Sequence, residues 1–528
     1  MPEVHVELLW PDGSEQRCTS PSRAIEGWLV AGARYPADEL LRRVRSGLGA
    51  ASERVREVYG MGCTSAAAEL EAIERRVADL ETLAWGAGGR PAGTVLVKEI
   101  RRDREEAPPS SVDLGGHHQV VIVGGGQAGL AMSFCLLDRG VDHLVLERDR
   151  VAHAWREERW DSFSLVTPNW QCRLPGHPLR GADPDGFIGR DEIADYVESY
   201  ARKFALPVRE GVGVEEVALR DDGAFDLTTT AGDATADAVV LAVGGYHAPS
   251  IPRLGAALSP DITQLHSSTY RNPSSLPDGA VLVVGSGQSG AQIAEDLHLA
   301  GRDVHLAVGT APRVARFYRG RDVVTWLHDM GHFDLPIERH PEGLDARREA
   351  NHYVTGRDGG RDLDLRELAR DGMTLHGRLI GGAGGDVRFA GDLADNLDAA
   401  DETYERINGS IDEWIDEHGV EAPPGAAYEP VWAPDDNDGG GELDLAAAGV
   451  RSVVWATGFS SDWSWVKAPA FDGTGYPTHH RGVTTVPGLY VLGLPWLHTW
   501  GSGRFAGIAR DARHLAAQIP AGAAARAA

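Results

Sequence analysis

Two stretches of this sequence, VVIVGGGQAGLA at 120–131 and VLVVGSGQSGAQIA at 281–294, place glycines at the same spacing behind an apolar run. Gly124, Gly126 and Gly129 fit G-x-G-x-x-G, and Gly285, Gly287 and Gly290 repeat it. The chemistry served by that spacing is the capture of a pyrophosphate. The first glycine permits a tight turn, the second lets backbone approach the phosphates, and the third lets the next helix pack on the strand, its N-terminus facing the negative charge. Gln127 and Ala128 in the first turn, and Gln288 and Ser289 in the second, complete the linings. About 20 residues beyond the first motif, VDHLVLERD ends in Glu147 and Arg148; a carboxylate there accepts hydrogen bonds from a ribose. The second motif has no such acid. Its next strand ends in LAVGT, followed by Arg313 and Arg316. A guanidinium pairs with a 2'-phosphate that a carboxylate would repel, so NADPH is expected at this second site. The first site, with its glutamate, suits FAD, which accepts a hydride from nicotinamide.

Each motif needs a strand before it and a helix after it. LAMSFCLLDRG and AQIAEDLHLAG continue as helices, and RDVHLAVG is a further strand. DAVVLAVGGYHAPSIP and VRSVVWATGFSSD end apolar strands in small-residue turns, the second at Thr457-Gly458, where a chain can pass close to a nucleotide or between two domains. VPGLYVLGLPWLHTWGSGRFAGIARDARHLA reads as a strand, a Gly/Trp/His loop and a helix, and a loop at that edge of a parallel sheet is a ligand position. The expected fold class is α/β: two Rossmann-like dinucleotide-binding domains, the NADPH domain inserted in the FAD domain, plus a small N-terminal α+β module. The expected boundaries are 1–98 for the module, 99–118 for a linker, 119–250 and 441–515 for the FAD domain, 251–440 for the NADPH domain, and 516–528 for a flexible tail.

The module starts with two short strands about a Pro-Asp-Gly turn in VHVELLWPDGSEQRC, followed by helical periodicity in PADELLRRVRSGLGAASERVREVYG and TSAAAELEAIERRVADLETLA, the latter with Thr64 or Ser65 as cap. The 528 residues carry 51 basic and 78 acidic side chains, a formal net charge of -27, which disfavours nucleic acid and anionic lipid as partners. Four cysteines stand far apart without a CxxC, arguing against a zinc ribbon or a dithiol centre. The opening residues lack the pattern of a signal peptide and no apolar run is long enough to cross a bilayer, so a cytoplasmic protein is expected. His117-His118 and His479-His480 lack a third ligand at metal spacing, and no G-x-S-x-G elbow occurs.

With these motifs, residues 119–515 resemble the two-dinucleotide class B flavoprotein monooxygenases; HAWREERWDSFSLVTPNWQCRLPG, VVWATGF and GLYVLGLPWLHTWGSG add to the likeness. More narrowly they resemble the flavin-dependent oxidoreductase of bacterial nitrilase-containing gene clusters linked to nitrogen starvation. The front module resembles the small nitrogen-starvation-response protein encoded beside that enzyme, which would make the chain a fusion of the two. The resemblance implies FAD at the first glycine turn and NADPH at the second. It implies that Trp155 and Arg156 cover the flavin edge, and that Thr457-Gly458 is the Ala-Thr-Gly crossing strand. The family's F-x-G-x-x-x-H element keeps His266, with Pro260 and Ile262 in the Phe and Gly places.

The implied reaction is oxygen insertion into a small organic substrate by a C4a-(hydro)peroxyflavin, at nitrogen, sulfur or a carbonyl. Such an adduct requires hydrogen-bond donors and exclusion of water. Thr167 and Asn169 in VTPNWQC, and His498 and Trp500 in LPWLHTWGSG, are the catalytic candidates. Trp496 and Trp500 read equally as packing, His498 as a structural hydrogen bond, and Asn169, beside Pro168, as a turn residue. His266 is expected to hold the interdomain linker or the nicotinamide. Two other classes stay open: an FAD-dependent NADPH reductase or oxidase, and a nucleotide-sensing or interaction protein. A homodimer, and a protein partner recruited through the N-terminal module, stay open as well.

Overall fold

The computed structural model describes residues 4–20, 25, 28–29, 33–59, 64–86, 94–102, 114, 116–348, 350–435 and 437–520. The chain forms two units, 1–110 and 111–528.

In the first unit, Val4–Leu9 alternates buried and half-buried residues, as a strand with one face on a core must. It pairs antiparallel with Glu15–Ser20 through the expected turn, where Gly13 N–H donates to Trp10 O at 2.9 Å. On its other side runs Thr94–Arg102, which also pairs with Arg34–Pro36. The expected boundary at 98 therefore falls inside a central strand. The helices Ala37–Tyr59 and Thr64–Gly86 bury Leu40, Val44, Leu48, Ile73 and Val77 at helical spacing against Val6, Leu8 and Val95 of the sheet. The side chains of Thr64 and Ser65, and most of the expected linker, lie outside the described residues.

The second unit is mixed α/β and contains two sheets with parallel centres. In the first, His117–Val123 lies between His143–Leu146 and Gly232–Leu241, parallel to both, and Leu489–Val491 extends it beyond Gly232–Leu241. In the second, the order is Thr263–His266, Val450–Trp455, Ala280–Val284, Val304–Ala307, Thr374–His376, all parallel. Residues 120–123 in the first sheet and Ala280–Val284 in the second are unbroken runs of buried apolar residues, as strands covered on two faces require. Val450–Trp455 belongs to the second sheet, so the expected boundary at 440 is too early; the chain leaves that sheet after Trp455. The last helix, Ile508–Gln518, packs on the first-turn helix Gln127–Asp138. It continues past the expected start of the tail at 516.

The chain passes from the first sheet to the second near Ala248–Pro249 and back at Phe459–Ser460. These two segments pair antiparallel, Ala248 with Ser460 and Pro249 with Phe459. Ser250 N–H donates to Gly458 O at 2.9 Å, and the Thr457 hydroxyl bonds Ser250 O.

Candidate functional site

The two glycine turns repeat the same backbone packing at their motif glycines. Gly124 has φ +108°, and a Cβ placed on it would stand 2.6 Å from Ala242 O, at the end of the neighbouring parallel strand. Gly285 has φ +101°, and its Cβ would stand 2.7 Å from Ala456 O. A Cβ on Gly129 would lie 1.9 Å from Gly124 O, and one on Gly290 would lie 1.9 Å from Gly285 O. Helix and turn are thus packed to a distance only glycine allows. Gly126 and Gly287, the N-caps of the two helices, face nothing within 4 Å. Each is an open cradle at a helix N-terminus with unpaired N–H groups, which fits a pyrophosphate.

Around the first turn, Gly125 N–H donates to Glu147 Oε2 at 2.6 Å and Asp149 N–H to Glu147 Oε1 at 2.9 Å. The carboxylate is therefore held beside the glycine turn. Arg148 points to solvent and pairs with Asp149. Gln127 accepts from Trp155 Nε1 at 3.2 Å and donates to Gly503 O at 3.4 Å. Trp155 stacks on Phe505, with centroids 5.8 Å apart. Gly493, with φ +83°, approaches Ala128 so closely that its Cβ would stand 2.7 Å from that methyl. The Gly/Trp/His loop after the last strand thus packs against the first turn. Arg156 bonds Asp195 at 2.8 Å and Glu198 at 2.9 Å on the helix Arg190–Lys203, so its guanidinium is engaged by carboxylates.

At the second turn the place of Glu147 is taken by buried Val308, and Ser286 Oγ accepts from Gly309 N–H at 3.0 Å. Gln288 and Gln292 both donate to Val354 O, at 2.5 and 2.8 Å, tying this helix to the 350s segment. Arg313 and Arg316 do not reach this turn as free cations. Arg313 is 3% exposed, lies 3.0 Å from Asp364 and 2.7 Å from Asp401, and is sandwiched between Tyr404 and Tyr428 at 4.3 and 3.9 Å. Arg316 is wholly buried, pairs with Asp322 at 2.6 Å, donates to Val166 O at 2.7 Å and covers the Phe187 ring. Their charges are neutralised inside the protein, so the expected pairing with a 2'-phosphate is corrected for both.

Of the catalytic candidates, Asn169 has both ends of its amide engaged: Nδ2 donates to Asp183 O at 2.8 Å and Oδ1 accepts from Ile188 N–H at 2.8 Å. It fastens the 183–188 loop, and the expected donor role is corrected to the turn role. Thr167, two residues earlier, is half-buried. His498 accepts from Ile337 N–H through its carbonyl at 2.8 Å, while its Nδ1 is buried without a partner and burial pushes its pKa down. Trp500 meets Phe333 edge-on at 4.6 Å and His332 at 5.3 Å. His266 holds the crossing, as expected. It is buried, with Nε2 2.9 Å from Gly458 O and Nδ1 accepting from Ser268 N–H at 3.2 Å.

Two arginines escaped the sequence reading. Arg159 lies over Trp155 at 5.3 Å and Phe163 at 5.8 Å, and Arg504 lies over Trp500 at 4.1 Å. Burial pushes both guanidinium pKa values down. Their sequence signal was faint: Arg159 ends an arginine-glutamate cluster in WREERW, and Arg504 sits in the glycine-rich GSGRFAG.

Residues 121–328 match the family model for pyridine nucleotide-disulphide oxidoreductases, and residues 5–86 match that for the nitrogen starvation-induced protein NitG. A CzcO-like oxidoreductase of Geobacillus kaustophilus is 33% identical over 404 residues, covering 75% of this chain and 96% of that protein. The probable indole-3-pyruvate monooxygenase YUCCA4 of Arabidopsis thaliana is 32% identical over 194 residues, 36% of this chain and 46% of that protein. Among solved structures, a flavin-containing monooxygenase from Stenotrophomonas maltophilia shares the fold, with TM-score 0.52 and 21% identity, covering 78% of this chain and all of that one.

Proposed function

The chain belongs to the family of the CzcO-like oxidoreductases, and from that membership we propose that it is an FAD-dependent monooxygenase, which uses NADPH and oxygen to insert one oxygen atom into a small organic substrate. The reading takes the fold as two Rossmann-like domains. The FAD domain is formed by residues 119–250 together with the chain after Trp455, and the NADPH domain by 251–455. Gly124, Gly126, Gln127, Ala128, Gly129, Glu147 and Trp155 hold FAD, and Gly285, Gly287, Gln288, Ser289 and Gly290 hold NADPH. Bound flavin supplies hydride acceptance and, once reduced, reactivity toward oxygen. The protein supplies the rest: open helix starts for two pyrophosphates, a carboxylate for a ribose, and a loop of Trp, His and Arg residues that shields the first site from water.

The observation that carries this reading is the double turn. Any Cβ on Gly129 or Gly290 would fall 1.9 Å from a turn carbonyl, so only glycine is tolerated there, and Gly126 and Gly287 are each left open. A single nucleotide site would not need the second turn. A dithiol route is disfavoured by the described cysteines, since burial pushes Cys135 and Cys172 up to about 11 and about 12, leaving them protonated thiols.

The front module, which matches NitG over residues 5–86, is read as a regulatory or docking unit joined to a cytoplasmic enzyme of nitrogen-limited metabolism. The test is to purify the full chain, reduce it anaerobically with NADPH, and mix it with oxygen. Bleaching of a yellow protein by NADPH, then oxygen-18 appearing in the product from a metabolite panel, is the expected result. A protein that takes up no flavin overturns the reading. Stoichiometric hydrogen peroxide with every panel member makes it an oxidase.

A further inference from the structure

In a chain with 78 acidic side chains against 51 basic ones, Arg156, Arg313, Arg316 and Arg357 are each matched by a carboxylate. Arg504 is not. Its Nε donates to Trp500 O at 3.2 Å and its Nη2 to Asn351 Oδ1 at 2.8 Å, both neutral acceptors, and its third nitrogen, Nη1, has no partner among the described residues. The guanidinium rests 4.1 Å from the centre of the Trp500 ring. His332 and His352 stand around it, and burial, aided by the nearby cations, pushes both down to about 4, so both are neutral near pH 7.

Arg504, Trp500, His332 and His352 are each half-buried, so each keeps part of its surface accessible. The place is next to the first nucleotide site, because Gly503 accepts a hydrogen bond from Gln127 at the start of its helix. Crowding a cation among rings without a counter-charge is costly, and the cost is offset when an anion arrives. The phosphates of the two nucleotides already have the two helix starts. One free guanidinium nitrogen between an aromatic face and neutral imidazoles suits a monoanion on an apolar body.

We propose that Arg504, oriented by Asn351 and Trp500, binds a carboxylate carried by the substrate, and that Trp500 and His332 hold the apolar or aromatic part of the same molecule. The assignment rests on the oxygenase reading only in taking the bound acid to be the substrate.

Calorimetric titration of the full-length, flavin-loaded protein tests it, with phenylacetate, phenylacetamide and inorganic phosphate as probes and NADP+ titrated separately. Phenylacetate is expected to bind about tenfold or more tighter than phenylacetamide. Arg504→Gln should abolish that preference and Arg504→Lys retain part of it, while Trp500→Leu weakens acid and amide together; the flavin spectrum of each variant reports its fold. Equal binding of acid and amide, or no binding of either, overturns the proposal. So does an Arg504→Gln variant that loses affinity for phosphate or NADP+ instead of the acid, which would give the arginine to a nucleotide. Selective binding of the acid in a protein that never incorporates oxygen leaves Arg504 as the anion site and defeats only the oxygenase reading.

Discussion

The Nε2 atom of His266 lies 2.9 Å from the carbonyl oxygen of Gly458, and this contact fastens the end of one parallel strand to the segment by which the chain leaves the second sheet. The ring is neutral in this setting: Nε2–H donates to Gly458 while Nδ1 accepts from Ser268 N–H. His266→Leu removes the donor and leaves a carbonyl at the crossing unsatisfied. It is expected to cost about 1–3 kcal/mol, read from the midpoint of urea unfolding.

The same imidazole sets an acid limit. Burial holds His266 below its ordinary value, and it holds His332, His352, His376 and His479 at about 4 against an ordinary 6.5. Between these values the unfolded chain binds more protons than the folded one. The stabilisation these residues give is therefore whole above pH 6.5 and is lost progressively as pH falls toward 4. Urea midpoints measured at half-unit steps from pH 7 to pH 4 should decline steadily; a flat profile contradicts it.

Gly126→Ala and Gly129→Ala should separate binding from folding. The first adds a methyl to open space at a helix start, so the protein folds and its flavin affinity drops. The second drives a methyl onto Gly124 O, and overpacking of this kind costs about 1–3 kcal/mol or more. Gly287→Ala is expected to raise the Michaelis constant for NADPH while flavin content stays at the wild-type level. Thermal melts, flavin absorbance and steady-state kinetics read all three.

Arg313→Ala should act on stability instead of nucleotide choice. It leaves buried Asp364 without its cation, 3.0 Å away, and removes one of the two arginines on Asp401, at 2.7 Å, where Arg366 stays at 2.9 Å. Removing one partner of a buried ion pair costs about 3–5 kcal/mol. Kinetics with NADPH and NADH should deteriorate together. A selective rise in the NADPH Michaelis constant would return the arginine to the 2'-phosphate.

The glycine turns were legible in the sequence because their requirement is local. A tight turn, an open helix start and a close strand contact are all written within six residues, and Gly124 to Gly129 and Gly285 to Gly290 meet it in the same way. The arginines were illegible for the opposite reason. Position alone put Arg313 beside the second turn, but its fate is decided by Asp364 and Asp401, which the chain brings in from elsewhere. Arg504 looked like part of a glycine-rich loop, and only the arrival of Asn351 and His332 from the second half of the unit reveals it as an unmatched charge. Asn169 failed similarly, since the loop it fastens follows it in the chain. The boundary at 440 was misplaced because Val450–Trp455 and Gly232–Leu241 carry the same apolar pattern, and no local feature says which sheet either will join.

The short ladder joining Ala248–Pro249 to Phe459–Ser460 means that everything between them starts and finishes at one spot. Such a stretch is portable. It can be cut out and its stumps rejoined by a few residues, or exchanged for the matching stretch of a relative, without pulling the remaining strands apart. A lineage with this architecture can therefore exchange the whole second sheet as a single cassette while leaving the host sheet untouched.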